Sequence, residues 1–470
     1  MSRKFFHQLW KNRQAPSSSV RKPSKAEMRK RLRRSLAVEP LEDRRLLVVG
    51  SFAFGIETGR GSGFDGVLAL DIDQDSTTTN NSSECTASLL HTGRHILTAA
   101  HCVDFDGDAV ADNAARVVFD IDGAPNGNFL LMDIPASDII VHPNWNNVIK
   151  QGNDIVVAEL PRVAPAGADR YDIFRGSNEL GQSYTTVGYG ATGTGTTGQS
   201  NNNIGPNGDV RRMGNNRWDS VTDILAGAPL NEPTPPVGTA LVSDFDDGTA
   251  GRDAMGTFYG LVDRGHVSGD FLEAQGDSGG PGLIGTPGNF RIAGVVSYGV
   301  ASIFNANLTT DTDPAFRTFG ELTVDTRVSA FTSFIDGITE QDYDLVFDMQ
   351  DQLAGNFDGS DDTIVLQKSG ASLQILVNGE LAFEEATPER IQSITINGSG
   401  DSDHLIIDYP SGVPGGTVNF DGRAGGNSVT FQTGDTNNFV SVLSDAGNPR
   451  IDTVGTITTV ESHDLQAACV

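Results

Sequence analysis

Short apolar runs separated by clusters of turn residues are the feature that most constrains the fold of this chain. From about residue 52 the runs include GVLALDI, RHILTAAHC, ARVVFDI and NDIVVAEL. Apolar runs of about four to eight residues bounded by Gly, Asn and Asp are typical of β-strands. The 55 glycines among 470 residues agree with a fold that has many tight turns. The sequence therefore predicts a mainly β protein.

Charge divides the chain into two unequal parts. Residues 1–45 hold 14 Lys and Arg against 4 Asp and Glu, whereas the whole chain has a formal net charge of −28. The strongly acidic remainder argues against nucleic acid as a partner, because its surface would repel phosphates. We interpret residues 1–47 as a basic leader that is disordered or serves in targeting, with contact to nucleic acid or anionic lipid as the alternative.

Export is suggested by a short motif in this leader. AVEPLEDRRLL (37–47) resembles an N-terminal segment of large exported or surface proteins of some bacteria. No run approaches the roughly 18 apolar residues that a membrane-spanning helix needs. We expect an extracellular or cell-surface location in a bacterium, with the periplasm as an alternative, attachment to the cell surface as one arrangement, and no membrane span.

The texture of the sequence changes near residue 340. Residues 48–338 form one predicted domain, in which 191–217 look like a long surface loop and 323–338 have the apolar spacing of a terminal helix. Residues 339–470 form a Gly- and Asp-rich β module, a solenoid or a sandwich, because Asx-Gly turns repeatedly precede alternating apolar runs. These turns predict either solvated loops, which we favour, or calcium sites.

Six residues, GDSGGP (276–281), carry the strongest chemical signal. A serine hydroxyl attacks a carbonyl poorly unless a base accepts its proton and N–H groups stabilise the developing oxyanion. Gly276 has no Cβ, so its N–H can turn towards the same point as the N–H of Ser278. The hexapeptide therefore indicates a nucleophile, Ser278, with an oxyanion hole made by Gly276 and Ser278.

A base and an orienting acid are found upstream. His101 follows small residues in LTAAHCV (97–103), and Asp154 enters an apolar strand in HPNWNNVIKQGNDIVVAEL (142–160). A carboxylate at the mouth of a buried strand is costly unless it accepts hydrogen bonds, and the His101 ring can donate one. A simple strand-edge aspartate is the alternative interpretation.

Three cysteines are present, at positions 85, 102 and 469. A disulfide between Cys85 and Cys102 would close a loop beside His101, and closing such a loop stabilises a protein by roughly 3 kcal/mol. In a reducing compartment all three would instead be inert core residues. Cys469 is either unpaired or forms an intermolecular bridge.

Taken in order, these segments resemble the chymotrypsin/trypsin-like serine proteases. The matching pieces are CTASLLHTGRHILTAAHCV, HPNWNNVIKQGNDIVVAEL, VGYGATG, GDSGGP, VVSYG and TRVSAFTSF, which together span about residues 52–338. The resemblance implies two six-stranded antiparallel β-barrels with the site between them. It also implies Ser278 as nucleophile, His101 as general acid and base, and Asp154 as the carboxylate that orients His101.

The same resemblance implies where a substrate binds. The residues concerned are Leu272, Gln275, Ser297, Tyr298 and Gly299. Leu272 stands where the base of the primary specificity pocket is expected, so cleavage after apolar residues is predicted, although the neighbouring Glu273 can also face the pocket. Asp277 stands where an acid pairs with a new amino terminus, which predicts a zymogen cut before Val48 or Val49.

The predicted function is that of a secreted or surface-associated serine endopeptidase that hydrolyses protein or peptide substrates through an acyl-enzyme. No cofactor and no metal is required, apart from the calcium alternative in the C-terminal module. Two other hypotheses remain open at this point. One is a catalytically idle protease-like binding protein, and the other is an adhesive surface protein whose main function lies in residues 339–470.

Overall fold

The protein is described by a computed structural model. The described residues are 49–50, 56–73, 82–121, 129–200, 210–227, 233–262, 270–300, 317–352, 360–409, 413–423, 426–431, 439–443, 449–452 and 460–461. The predicted leader, residues 1–47, and Cys469 lie outside them. Strands dominate the described part, which confirms the prediction of a mainly β protein. No described helix is long and apolar enough to cross a membrane.

Nine strands precede residue 160. They are β1 (Val49–Gly50), β2 (Ile56–Glu57), β3 (Val67–Asp73), β4 (Ser82–Leu89), β5 (His95–Thr98), β6 (Ala115–Phe119), β7 (Leu130–Ile134), β8 (Ile139–Val141) and β9 (Val156–Glu159). Strands β3 to β9 form one antiparallel sheet in the order β7-β6-β3-β4-β5-β9-β8, which curls into a half-barrel. In β7, Leu130, Met132 and Ile134 are buried and the residues between them are exposed, as the period of a strand requires.

Eleven strands follow up to residue 327. They are β10 (Asp172–Ile173), β11 (Ser183–Gly188), β12 (Thr192–Thr194), β13 (Gly198–Ser200), β14 (Arg212–Arg217), β15 (Ser220–Val221), β16 (Ala240–Asp244), β17 (Phe271–Leu272), β18 (Pro281–Ile284), β19 (Arg291–Val300) and β20 (Leu322–Arg327). Most belong to a nine-stranded sheet in the order β15-β16-β20-β19-β18-β11-β14-β2, with β10 beside β19. A small sheet has the order β13-β12-β1-β17. Closure of the nine-stranded sheet into a second barrel stays a prediction.

Two segments differ from the sequence-based expectation. The predicted surface loop 191–217 contains β12, β13 and β14, and β14 pairs with β11 although its sequence is RMGNNR. The predicted helix 323–338 begins as strand β20, which pairs with β16 on one side and β19 on the other. Its helical parts are a 3₁₀ turn at Val328–Ala330 and the α-helix Thr332–Thr339. Pairing partners distant in sequence therefore override the local pattern in both cases.

Helices are few and short in the described part. The two α-helices are α1 (Ala254–Tyr259) and α2 (Thr332–Thr339). The Asp253 side chain accepts from the Gly256 N–H at the start of α1, and Gly260 ends it in a left-handed conformation. The short 3₁₀ helices of the described part are Ala100–Cys102, Ala136–Asp138, Ile149–Gln151, Thr222–Ala226, Val328–Ala330, Met349–Asp351 and Pro388–Arg390.

The C-terminal part contains two further sheets. Its strands are β21 (Tyr343–Asp348), β22 (Asp362–Ser369), β23 (Ser372–Val377), β24 (Glu380–Glu385), β25 (Ile391–Asn397), β26 (Asp403–Asp408), β27 (Thr417–Asp421), β28 (Ser428–Phe431), β29 (Phe439–Leu443), β30 (Pro449–Asp452) and β31 (Val460–Glu461). The sheet orders are β21-β25-β27-β29-β30 and β24-β23-β22-β26-β28-β31. Four strands of the first sheet and three of the second pair in parallel, and from β24 to β29 successive strands alternate between the sheets. This winding is compatible with the solenoid alternative, which stays a prediction.

Contacts join this C-terminal part to the segment that follows β9. The Val163 N–H donates to the Val346 carbonyl at 2.9 Å, and Val163 is buried in the same apolar cluster as Tyr343 to Val429. Arg162 forms an ion pair with Asp351. The Arg94 guanidinium lies 3.1 Å from the centroid of the Tyr343 ring. The two parts are therefore packed against each other through buried side chains as well as backbone hydrogen bonds.

Candidate active site

His101 and Asp154 are brought together by neighbouring strands of the half-barrel. His101 lies in the 3₁₀ turn that follows β5, and Asp154 lies just before β9, which pairs with β5. The His101 Nδ1 atom is 2.8 Å from Asp154 Oδ2, and the His101 backbone N–H donates to Asp154 Oδ1 at 2.9 Å. Both carboxylate oxygens are thus fixed by one residue, so the imidazole has a defined orientation.

Asp154 is fully buried and accepts a third hydrogen bond, from Ser297 Oγ at 2.5 Å. Its backbone carbonyl accepts from Thr326 Oγ1 at 2.9 Å. Burial opposes ionisation, but the charge of His101 and the hydrogen bonds from His101 and Ser297 outweigh it, so the pKa of Asp154 lies below its usual value. The ionised form of Asp154, behind the imidazole, is therefore favoured.

The same pairing acts on His101, whose side chain is 22% exposed. Burial disfavours the imidazolium, but the Asp154 charge and hydrogen bond outweigh this effect and raise the pKa of His101 above its ordinary 6.5. The ring is thus a stronger base than a free histidine.

The loop that carries Ser278 depends on glycines. Gly279 has φ +79°, and a Cβ there would lie 2.1 Å from Thr98 Oγ1 and 2.4 Å from the Thr86 carbonyl oxygen. The Gly279 N–H donates to the Val296 carbonyl at 2.8 Å. Only glycine fits such a close approach. The loop is therefore pressed between the strand that precedes His101 and β19, which carries Ser297.

Thr86 ties the first sheet to this loop, a role that the sequence analysis missed. Its N–H donates to the Ser278 carbonyl at 2.8 Å, and its Oγ1 donates to the Gly276 carbonyl at 2.9 Å. The Tyr189 N–H donates to the same Oγ1 at 3.3 Å. Its position directly after Cys85 was the available signal, because the disulfide holds that segment beside His101.

A disulfide joins Cys85 to Cys102, with 6.4 Å between their Cα atoms. Cys102 Sγ lies 4.0 Å from His101 Nε2 and 3.8 Å from the Ser278 carbonyl oxygen. The bridge therefore lies close to both the predicted base and the backbone of the predicted nucleophile, so the two residues are in one region. Among the described residues, Ser278 Oγ and His101 form no hydrogen bond, and catalytic contacts of this kind are often long before substrate binds.

Gly276 and Ser278 present the two predicted oxyanion donors. Gly276 has φ +99° and lies against Gly190, since a Cβ placed on Gly276 would be 2.9 Å from the Gly190 Cα. Within the described part of the chain, neither the Gly276 N–H nor the Ser278 N–H donates to a protein acceptor. Backbone N–H groups held without an internal acceptor beside a hydroxyl can bind a substrate carbonyl oxygen.

Asp277 is buried next to the nucleophile. Its carboxylate accepts from the Gly190 N–H and the Ala274 N–H, both at 2.8 Å. Burial raises its pKa to about 7 in spite of these hydrogen bonds. In strand β1, Val49 pairs with Gly193 on one side and with Leu272 on the other. The predicted cleavage region therefore lies between the segments that contain Gly190 and Ala274, whose N–H groups donate to Asp277.

The predicted substrate-binding residues differ in their exposure and in what they contact. Gln275 is exposed, and Ser297 is engaged with Asp154. Leu272 is fully buried in an apolar cluster with Ala191, Phe245, Ala274 and Phe319. Tyr298 and Gly299 follow Ser297 on β19, and Tyr298 packs on the cluster around α1. Their roles in substrate binding stay predictions, and Leu272 has no open face towards the cleft.

One acidic turn near the site has the residue types of a cation site. Asp104, Asp106 and Asp108 place carboxylate oxygens within 4.8 Å of one another. However, Asp104 accepts from the N–H groups of Gly107 and Ala109, and Asp106 accepts from that of Asp108. The carboxylates of this turn thus accept hydrogen bonds from the backbone of the turn itself, so we assign no cation to it.

Comparison with known families agrees with this geometry. The family model Trypsin matches residues 73–232, a segment that includes His101 and Asp154 and ends before Ser278. The match supports a trypsin-like serine protease family for this part of the chain. A search of curated proteins found no significant match.

Proposed function

We propose that the protein is a serine endopeptidase that cleaves protein or peptide substrates through an acyl-enzyme intermediate. The observation that carries the proposal is the hydrogen-bonded pair of His101 and Asp154, held beside the GDSGGP loop by Thr86 and the disulfide. The family match supports a serine-type hydrolase, because this class uses such a pair to activate a serine.

In the proposed mechanism the Ser278 hydroxyl oxygen attacks the scissile carbonyl carbon while His101 Nε2 accepts its proton. The carbonyl oxygen becomes an oxyanion, which the Gly276 and Ser278 N–H groups stabilise. His101 then donates the proton to the leaving amine, and the C–N bond breaks. Water repeats the sequence on the Ser278 ester, which releases the acid and restores the hydroxyl.

The pH profile tests the role of His101. Only neutral imidazole can accept the Ser278 proton, so kcat/KM should fall tenfold per pH unit below the His101 pKa. Because Asp154 raises that pKa, the acid limb should have its midpoint above 6.5. Ser297→Ala, which removes one hydrogen bond from Asp154, should move the midpoint measurably. A profile that is flat between pH 5 and about 8 would contradict the assignment.

Labelling by a fluorophosphonate tests the nucleophile. The protein should react covalently either intact or after cleavage before Val48 or Val49, and Ser278→Ala should lose all labelling and peptide cleavage. Ser137→Ala is a matched control, since Ser137 is a surface serine whose hydroxyl donates to Asp138. A wild-type protein that folds but resists the reagent in both forms would instead favour the catalytically idle binding protein or the adhesive surface protein.

We also propose activation by cleavage before Val48 or Val49. A new amine there would supply Asp277 with a positive partner. Without it, the raised pKa means that Asp277 contributes stability that is full below pH 3.8 and is lost as pH rises through about 7. Processed protein should therefore be more active and melt higher than intact protein at pH 8, and Asp277→Asn should cancel both differences. An intact chain with full activity would exclude this activation step.

Location and the C-terminal part complete the proposal. We propose that the enzyme acts outside the cell or at its surface, or in the periplasm. The disulfide supports this, because such bonds persist in oxidising compartments.

We propose residues 339–470 as a β module that anchors the peptidase domain or acts as a spacer for it.

A further inference from the structure

A cavity lies where the half-barrel meets the C-terminal part. Its volume is about 540 Å³, which is within the range of small-ligand sites and far above the roughly 30 Å³ that one water occupies. His91, Thr92 and Arg170 line it from the N-terminal side, and strand β24 and the following turn, with Glu384 and Arg390, line it from the C-terminal side. We call it the junction cavity. The proposed catalytic residues do not line it, so it is a second and separate site.

Arg170 is the unusual group in the junction cavity. Its guanidinium lies against Gly93, where a Cβ would be 2.8 Å from Arg170 Cζ and Nε. The Nη2 atom donates to the Ala382 carbonyl at 3.2 Å, but Nε is buried with no hydrogen-bond partner among the described residues. No described carboxylate forms an ion pair with it, and burial lowers the pKa of Arg170. A cation held in this way is costly until an anion pairs with it.

The other arginine and glutamate side chains of the cavity comprise one satisfied pair and one further acid. Glu385 Oε1 accepts from the Thr387 N–H at 2.9 Å and from its Oγ1 at 2.8 Å, and Arg390 donates to the same Oγ1 at 2.8 Å. Arg390 Nη2 also lies 3.9 Å from Glu385 Oε1. Glu384 is exposed and forms no ion pair within the described part of the chain. The cavity thus presents one uncompensated cation, Arg170, and one uncompensated anion, Glu384.

The walls between these two charges are small and apolar, and one of them is a sheet edge. Ala166, Ala168 and Ala386 line the cavity together with the half-exposed Leu381. Strand β24 is the outermost strand of its sheet, so its outer edge pairs with no described strand. Backbone N–H and C=O groups on such an edge can pair with an extended peptide. A simple organic acid has no backbone to use them.

From these observations we propose that the junction cavity binds a short peptide through its free C-terminal carboxylate. The Arg170 guanidinium, whose Nη1 donates to no described residue, supplies a charge-assisted hydrogen bond to that carboxylate. Glu384 attracts the ammonium end of the peptide, and the edge of β24 pairs with its backbone. Phosphate is disfavoured, because it would bring up to two negative charges into a cavity that already contains Glu384.

The inference goes beyond the proposed function and does not require Ser278 to react. Hydrolysis of a peptide bond creates a new C-terminal carboxylate, so the products of the proposed activity have the end that the cavity selects. The alanine walls restrict the ligand less than they contact it, which favours peptides with small side chains near that end.

Calorimetric titration with matched peptides tests the site. We would use full-length Ser278→Ala as the parent protein, so that the proposed activity cannot consume the ligand. Trialanine should bind about tenfold or more tightly than its C-terminal amide, the range expected for a hydrogen bond to a charged group. N-acetylation of trialanine should weaken binding to the parent, and Glu384→Gln should remove that difference.

Variants and hydrogen exchange locate the bound peptide. Arg170→Gln keeps an N–H for the Ala382 carbonyl, and it should lower the affinity for trialanine to that for the amide. Arg116→Gln is the matched control, because Arg116 is a surface arginine paired with Asp133, and it should bind trialanine like the parent. Saturating trialanine should slow amide exchange in residues 91–94 and 381–390. Slower exchange in residues 276–281 alone would place the peptide in the proposed cleft and contradict the inference.

Three other results would overturn it. Equal affinity for trialanine and its amide would show that the carboxylate is not recognised, and this comparison needs no variant if Arg170→Gln does not fold by circular dichroism. Acetate that binds as tightly as trialanine would exclude a peptide as the selected ligand. Inorganic phosphate that binds more tightly than trialanine would identify a different kind of anion site. Because the parent lacks the Ser278 hydroxyl, these outcomes are independent of fluorophosphonate labelling of the wild type, so either proposal can fail alone.

Discussion

Asp154→Asn should lower kcat about 10⁴-fold with little change in KM, the size of effect seen when the orienting acid of a serine triad becomes an amide. An asparagine can satisfy the same space, so the fold should persist. However, its amide N–H₂ facing Nδ1 forces the proton onto His101 Nε2. That nitrogen can then no longer accept the Ser278 proton, and the barrier rises.

Steady-state kinetics and a thermal melt measure this effect. Asp133→Asn is the control, because Asp133 is an exposed acid on β7 whose ion pair with Arg116 is at the surface, where such pairs contribute little. The control should keep wild-type kcat. If Asp154→Asn keeps more than about a tenth of the wild-type rate, His101 is oriented by something other than this carboxylate.

Removing the disulfide should be the largest single loss of stability. Replacing both Cys85 and Cys102 by Ala should lower the free energy of unfolding by roughly 3 kcal/mol in the chain-entropy account. Both side chains are buried, and alanine leaves small voids that add to the loss. Activity should fall as well, since Cys102 Sγ lies close to both the His101 ring and the Ser278 carbonyl.

Chemical denaturation of the oxidised proteins would measure this difference. Both proteins would carry Cys469→Ala, so that the remaining cysteine cannot exchange with the bridge and the difference reports on Cys85 and Cys102 alone. An unfolding free energy within about 0.5 kcal/mol of wild type in the double variant would mean that packing alone holds these segments together.

Strand content was predictable because alternation and turn residues are local signals. Where the prediction was wrong, a distant partner decided the structure. Strand β14 has the sequence RMGNNR, yet Arg212 and Asn216 are buried because β11 pairs with it. The predicted helix 323–338 was extended too far towards its start, because the helical apolar spacing begins at Val328 and Leu322–Arg327 pairs with two neighbouring strands. No window of sequence contains such pairing information.

The candidate site shows the same difference between local and distant signals. Residue type and order are sufficient to predict His101, Asp154 and Ser278. The hydrogen bond from Ser297 to Asp154 depends instead on β19 passing behind Asp154. It is a consequence of strand pairing, and a solitary serine in the sequence carries no sign of it.

The C-terminal part is attached close to Asp154, so replacing it should affect the candidate site. Asp154 and the docking residues Arg162 and Val163 lie on one short stretch of backbone, with β9 between them. A load or a thermal fluctuation that pulls the last sheets away would therefore be transmitted to the carboxylate behind the imidazole. Exchanging residues 339–470 for an unrelated tether should thus alter turnover as well as placement.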